Sequence, residues 1–477
     1  MAPTTAILDA TVWTGVEPGV YRDTTIAIDG GQITHVGATR PSDHRAETVI
    51  DGSDLFVTPG LVDAHAHTGH RLAVGLGQDV PELEWMDQAL GPIGRETEPD
   101  DRSVASQLAI LESIDAGVTT ICEYGTEVGA RITDVHLPAG VRTVAVETIN
   151  EVVDRPSDGL YELDHDAGAT ARERTDTLFE IASTEPRLSA MYGPQALDMV
   201  TPRTMDEVVD QARKNDRHIH MHIAQGGRER RQIKARYGVD SAVTLLVERD
   251  WLDARLLAAH LHGATTEQRH TLAEAGVSMV GCPSSIGAID GIIPPIVEYR
   301  SSGGTAALGT DQAPGGAGGH HLLAEARQAW LFAKVARGDP TALPTWEALE
   351  LATVAGAHAL GLADSVGTIE VGKQADLACY PLDELPLAPA VSSVAATPIA
   401  ALITAGGRAV AKHVLVGGSF LKRDGAFTTL EPNVIIETAS DHAKRLHRRA
   451  ADAWFEADST LAGAARDGPF SVSDPPQ

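Results

Sequence analysis

The stretch "LVDAHAHTGH", residues 61 to 70, is an apolar run that ends in two histidines one residue apart, His65 and His67, with a third, His70, three positions on. Read as a β-strand, it points His65 and His67 to one face, roughly 6.5 Å apart along the chain, so that two imidazoles can converge on one cation. One such pair is weak evidence. With 19 histidines in 477 residues, about 0.7 His-x-His patterns are expected by chance. The chain has four, at 65/67, 218/220, 220/222 and 260/262.

Working outward, residues 4 to 58 are short strand-like runs parted by turn residues, among them "AILDATVW", "TTIAI", "ETVIDG" and "LFVTPG". The "DGG" at 29 to 31 is a hairpin signal. From about residue 59, apolar strands alternate with helical segments, as in "DRSVASQLAILESIDAG" followed by "VTTICEYG". That alternation indicates a parallel sheet with crossover helices, and its length suits eight β/α units. After "ALGLADS" the short-strand texture returns in "GTIEVGKQADLACY", "AALITAGGRAV" and "KHVLVGGSFLKRDG". The expected fold is α/β: a (β/α)8 barrel over residues 59–363 and a small discontinuous β-sandwich built from residues 1–58 and 364–428. Residues 429–477 are expected to hold a helix within "VIIETASDHAKRLHRRAADAWFEAD" and a fraying Pro/Ser/Asp-rich tail.

The formal charge of −28 argues against a nucleic-acid or anionic-membrane partner, because both need basic patches. Cys122, Cys282 and Cys379 lie far apart with no CxxC, which suggests neither a disulfide framework nor a cysteine-based zinc site. The N-terminus has no basic segment followed by an apolar one, and no run reaches the ~18 apolar residues of a spanning helix. A cytoplasmic location is expected.

In a β/α barrel, function gathers where the strands end. Four apolar runs stop at ligand-type residues. The first ends in His65 and His67, "RHIHMHIAQ" in His222 with Gln225 beyond, "ARLLAAHLHG" in His260, and "GTAALGTDQ" in Asp311. Imidazoles with one carboxylate suit a single Zn²⁺ first, or Fe²⁺, Co²⁺ or Mn²⁺, and leave a position for water. His218 and His220 read as flanking residues, and His262 as a surface residue at a helix start.

Together "VTPGLVDAHAHTGH", "IHMHIAQ", "LLAAHLHG", "LGTDQAP" and "GTIEVGKQADL" resemble the amidohydrolase superfamily, specifically its single-metal branch, over residues 5 to 428. That branch holds cytosine and guanine deaminases, triazine hydrolases, and phenylurea and thiocarbamate hydrolases. The resemblance implies His65, His67 and His222 as metal ligands and Asp311 as a ligand that also takes the proton of the attacking water. It places His260 beside the metal, polarising hydroxide or substrate. Gln78 and Trp85 align with pocket positions, His70 is a further candidate, and a homo-oligomer is the family habit. Two-metal members usually carry a carbamylated Lys on strand four, and no Lys precedes Lys214 here.

Two departures shape the substrate expectation. Deaminases and triazine hydrolases of this branch have Glu three residues after the strand-five His, where it protonates a ring nitrogen; here that residue is Gln225, which cannot supply a proton. Gln195 stands where many deaminases have His. A carbonyl substrate needs no ring protonation, so the expected reaction is hydrolysis of a C–N or C–S bond in a small amide, urea or carbamate, as in xenobiotic degradation. The alternative is an aminohydrolase or chlorohydrolase of a triazine, pyrimidine or purine. Glu123 could replace the missing acid, although a structural carboxylate is the better reading. His320 and His321, in "DQAPGGAGGHHLL", could reach the pocket from a lid, although a helix start suits them better.

Overall fold

A computed structural model of the chain describes residues 4–38, 46–81, 84–156, 159–312, 319–391, 395 and 397–472. Among them, eight parallel strands follow one another in chain order: Leu61–Ala66, Val118–Gly125, Arg142–Ile149, Leu188–Pro194, Ile219–Ile223, Leu256–His260, Ser278–Gly281 and Thr305–Leu308. The first and third are buried along their whole length, as parallel strands covered on both faces are. The eighth meets the first through a parallel bridge between Ala66 and Asp311. Asp311 N–H donates to His65 O at 2.9 Å, and His67 N–H donates to Asp311 O at 2.8 Å. This approach requires Gly309, where a Cβ would stand 2.6 Å from His65 O.

The crossover helices carry their own start and stop signals. The helix Pro99–Ala116 opens with Pro in its first turn and a capping box between Glu98 and Asp101. It stops at Gly117, whose φ of 96° is left-handed and whose Cβ would strike Tyr380 Oη at 2.3 Å. The next residue begins the second barrel strand, so "DRSVASQLAILESIDAG" and "VTTICEYG" fold as expected.

A second sheet joins both ends of the chain. The N-terminal strand Leu55–Pro59 pairs antiparallel with Leu377–Pro381, next to His413–Val416. The expected hairpin joins Tyr21–Asp29 to Gln32–Gly37, and Gly30 and Gly31 take positive φ as a tight two-residue turn demands. Two expectations are corrected. "AALITAGGRAV" forms no strand: Thr397–Ala405 is a helix whose Ile399, Leu402 and Ile403 are buried at helical spacing. "GTIEV" is irregular too, tied to the N-terminal segment by Ile369 N–H donating to Thr14 O at 2.8 Å.

The C-terminal helix runs from Pro432 to Glu456. Its buried stripe of Ala439, Leu446, Ala450 and Trp454 packs on the loop that follows the first barrel strand. The tail expected to fray after residue 458 begins instead as a second helix, Thr460–Asp467, whose Leu461 and Ala462 are buried in the same apolar cluster, and residues 473–477 lie outside the described residues. No helix among the described residues is long and apolar enough to cross a membrane.

Candidate metal centre and its cavity

The strand ends gather the expected residues at one place. His65, His67 and His222 bring ligand atoms within 4.8 Å of one another, as do His65, His260 and Asp311. Asp311 Oδ1 is 3.5 Å from His65 Nε2 and 3.3 Å from His67 Nε2. Ligands 2.0–2.1 Å from a tetrahedral zinc stand roughly 3.3–3.4 Å from one another, so these spacings fit one ion. His65 Nε2 and Asp311 Oδ1 are buried with no hydrogen-bond partner, which leaves both for an ion. Asp311 Oδ2 is occupied by the Ser285 hydroxyl at 2.5 Å. The two carboxylate oxygens are thereby given different tasks.

Backbone acceptors fix the imidazole tautomers. His222 Nδ1 lies 2.9 Å from Gln195 O, a carbonyl that can only accept, so Nδ1 carries the proton and Nε2 keeps its lone pair. His220 Nδ1 likewise donates to Leu257 O at 3.1 Å, leaving Nε2 to accept from His65 Nδ1 at 2.7 Å. His65 therefore presents an unprotonated Nε2 to Asp311. This corrects the reading of His220 as a mere flank. It shares a face with His222 by the same two-residue spacing that pairs His65 with His67, and that signal was available in the sequence.

Burial favours the neutral form of the imidazoles. It drives His65 and His260 well below the ordinary histidine range, and His222 down to about 4. Burial opposes ionisation of Asp311, yet the close imidazoles of His65, His260 and His67 hold it well below the usual carboxylate range. Neutral nitrogens and one carboxylate are the donor chemistry of a divalent cation. The backbone is strained at the same points, with φ of 81° at His260, 54° at Ala224 and 57° at Asp311. Such conformations cost on the order of 1–3 kcal/mol each and gather at functional sites.

A cavity opens above this floor. His67, His222, His260 and Asp311 meet it from below, and His70, Trp85, Gln195, Gln225, Arg228 and His262 form much of its wall. His70 stacks on His67 with centroids 5.5 Å apart, and burial lowers its pKa to about 3. Trp85 donates its indole N–H to Gly77 O at 3.0 Å. Gln195 accepts from Asn150 Nδ2 at 2.6 Å. Gln78 is not among the lining residues. His262, expected at the surface, has a side chain only 1% exposed and lies 3.6 Å from Asp290. Its helix starts later, at Thr266, and the buried turn after the sixth strand draws it inward.

The remaining candidates are structural. Glu123 is buried, bonded to Arg131 Nη2 at 2.8 Å and to Thr68 N–H at 3.1 Å. Burial opposes its ionisation, but Arg131 and His136 outweigh that and lower its pKa, so it is a poor proton donor. His320 bonds Thr310 and Glu112, and His321 bonds Ala409 O ahead of the helix Leu322–Arg337. Neither lines the cavity. Residues 313–318 of that loop, read as a lid, lie outside the described residues. Lys214 sits in the helix Pro202–Asn215 that precedes the fifth strand. The three cysteines are buried and free.

Comparison with known proteins agrees with this geometry. The model of the amidohydrolase family matches residues 56–421. A 5-methylthioadenosine/S-adenosylhomocysteine deaminase of Moorella thermoacetica is 32% identical over 89% of this chain and 94% of its own. A 5′-deoxyadenosine deaminase of Methanosarcina acetivorans is 28% identical over 91% and 96%. The zinc-bound structure of an adenosine deaminase from Xanthomonas campestris superposes with a TM-score of 0.84 at 26% identity, covering 94% of this chain and 99% of that one. The zinc complex of an atrazine chlorohydrolase from Arthrobacter aurescens shares the fold, with a TM-score of 0.78 at 23% identity over 92% and 100%. The chain belongs to the amidohydrolase family, in its single-metal branch, and is a metal-dependent hydrolase of carbon–nitrogen bonds.

Proposed function

We propose that the chain is a zinc aminohydrolase that releases ammonia from an amino-substituted N-heterocycle, with 6-aminopurine nucleosides as its substrate class. The observation that carries this reading is the near full-length match to proteins named as deaminases of adenosine-type nucleosides, together with a complete donor set at the strand ends. It favours the alternative of the sequence reading over the amide, urea or carbamate hydrolase preferred there, and it gives no support to xenobiotic degradation. The acyl preference rested on Gln225 and Gln195.

His65, His67, His222 and Asp311 would hold the ion, whose Lewis acidity brings the pKa of water near neutrality. The Asp311 carboxylate would accept a proton as water adds to the trigonal ring carbon, then pass it to the departing amine. His260, neutral and beside Asp311, would donate a hydrogen bond to the attacking oxygen. The Gln225 amide N–H would bond a ring nitrogen, orienting the heterocycle without protonating it. Trp85 would wall the apolar face of the ring.

The test is a product screen with zinc-loaded protein. Adenosine, 5′-deoxyadenosine, 5′-methylthioadenosine and S-adenosylhomocysteine would be set beside aryl ureas, carbamates and anilides. Ammonia release with conversion of adenine to hypoxanthine chromophore is expected. An amine released from a carbonyl compound, with the nucleosides untouched, would return the reading to acyl hydrolysis.

A further inference from the structure

We infer that the C-terminal helix Pro432–Glu456 positions one wall of the cavity, acting through Trp454, His447 and Arg449 on the loop that carries His70 and Trp85. The inference rests on the cavity being the substrate's, whichever compound that is. The loop runs from Thr68 to Glu98 and gives the cavity His70, Trp85, Met86 and Leu90. Its described regular structure is a 3-10 turn, Thr68–Ala73, and one continuous helix that winds as π over Trp85–Leu90 and as α over Gly91–Glu96. The end of that turn, the stretch after it and the C-terminal end of that helix leave carbonyls that must find donors elsewhere.

The C-terminal helix supplies them. His447 Nε2 lies 3.0 Å from Leu72 O, which can only accept, so the imidazole donates. Trp454 Nε1 donates to Leu76 O at 3.1 Å, and Arg449 Nη2 to Glu96 O at 3.1 Å. The carbonyl next to Leu76 is that of Gly77, which accepts from Trp85. Two indoles thus hold consecutive carbonyls, one from the helix and one from the cavity wall. Arg449 and His442 also bond Asp101, the residue that completes the cap of Pro99–Ala116.

The packing runs the same way. Leu72, Ala73, Val80, Trp85, Ala89 and Ile93 of the loop share one apolar cluster with Ala439, Leu446, Ala450 and Trp454. Without the helix this loop face would be open to water, and Trp85 would lose part of its backing. None of the described residues lining the cavity comes from the helix, so any effect on substrate must travel through the loop. The helix also lies beyond the stretch matched by the family model, which ends at residue 421.

The test uses full-length zinc-loaded protein with Trp454→Phe, which removes only the indole N–H, and Trp454→Ala, which removes the ring as well. Substrate kinetics, zinc content and hydrogen exchange over residues 68–98 are read for each. Loss of one hydrogen bond should raise KM roughly threefold to tenfold in Trp454→Phe, and Trp454→Ala should raise it further. In both, kcat and zinc content should hold while exchange quickens in residues 68–98 and not in the barrel strands. An unchanged KM overturns the inference, as does unchanged exchange or a joint fall of kcat and zinc content. If no nucleoside or acyl compound is turned over, the functional proposal fails separately. Faster exchange at 68–98 in Trp454→Ala still supports the clamp, and unchanged exchange still sinks it.

Discussion

The floor and the wall of the cavity are built by different rules. The floor is five side chains at strand ends, each fixed by a barrel strand or by a hydrogen bond to backbone. His222 leans on Gln195 O, His65 on His220 and through it on Leu257 O, and Asp311 on Ser285. The wall comes from loops, and Trp85 keeps its place through a carbonyl whose neighbour is held by a helix more than 350 residues further along the chain. Metal-assisted water chemistry can therefore stay the same while the wall, with Gln225 in it, changes what is bound.

The hardest test of this contrast falls on the floor. Asp311→Asn keeps the shape and the Ser285 contact but removes the carboxylate that accepts the proton. We expect kcat to drop roughly 10²- to 10⁴-fold, the usual contribution of a positioned general base. A variant that still turns over near the native rate would break the assignment of Asp311 to proton transfer. The next effect is smaller and lies one residue further out. His220→Leu leaves His65 Nδ1–H without its acceptor, and groups that orient a metal-binding histidine are worth roughly 10- to 100-fold in metal affinity. Competition with a zinc chelator measures this, and native affinity in the variant would remove His220 from the site.

The floor was legible in the sequence for a physical reason. Side chains alternate along a strand and barrel chemistry gathers at strand ends, so local patterns sufficed to place His65, His67, His222, His260 and Asp311. The same alternation placed His220 beside His222, but its bond to His65 spans 155 residues and exists only once the barrel closes. Ser285 was missed for that reason too: it follows the seventh strand, which ends in no ligand-type residue. His262 was misplaced because burial of a strand-end turn depends on the helices packed around it. "AALITAGGRAV" was misread because a Gly-Gly pair and β-branched residues mimic strand texture, while its spacing of buried residues is helical. For the wall, local arguments from Gln225 and Gln195 set the substrate class, and the relatives point to the alternative.

That leaves Gln225 as the sharpest probe of the wall. Gln225→Glu restores a group able to carry a proton at the place where the deaminases of this branch have one. If ring protonation limits the reaction, kcat/KM for a 6-aminopurine nucleoside should rise about tenfold or more. A variant with unaltered or lower activity would mean that Gln225 is no bottleneck and that the wall has been tuned around its amide. Glu229 stands close by, with Oε2 accepting from Gln225 N–H at 2.8 Å, and burial pushes its pKa up. A new carboxyl at 225 therefore enters a site that already disfavours negative charge, which would keep it protonated near neutral pH and able to act as the acid.

The smallest effect concerns what lies beneath the floor. Glu325 is buried and accepts from Ser284 N–H at 2.9 Å, one residue before the serine that holds Asp311. Burial pushes its pKa up to about 7, from an unfolded value of 4.5. Between these pH values the folded state keeps a proton that the unfolded state releases, so stability falls as pH rises through the window and is level above it. The penalty is on the order of 3 kcal/mol at most. Glu325→Gln, neutral at every pH, should flatten this dependence and leave kcat little changed. Thermal melts at a fixed scan rate from about pH 5 to pH 8 should show the native protein losing a few degrees more than the variant. Parallel curves would mean that Glu325 is ionised in the folded protein, and that negative charge is tolerated beneath Asp311 where the wall disfavours it.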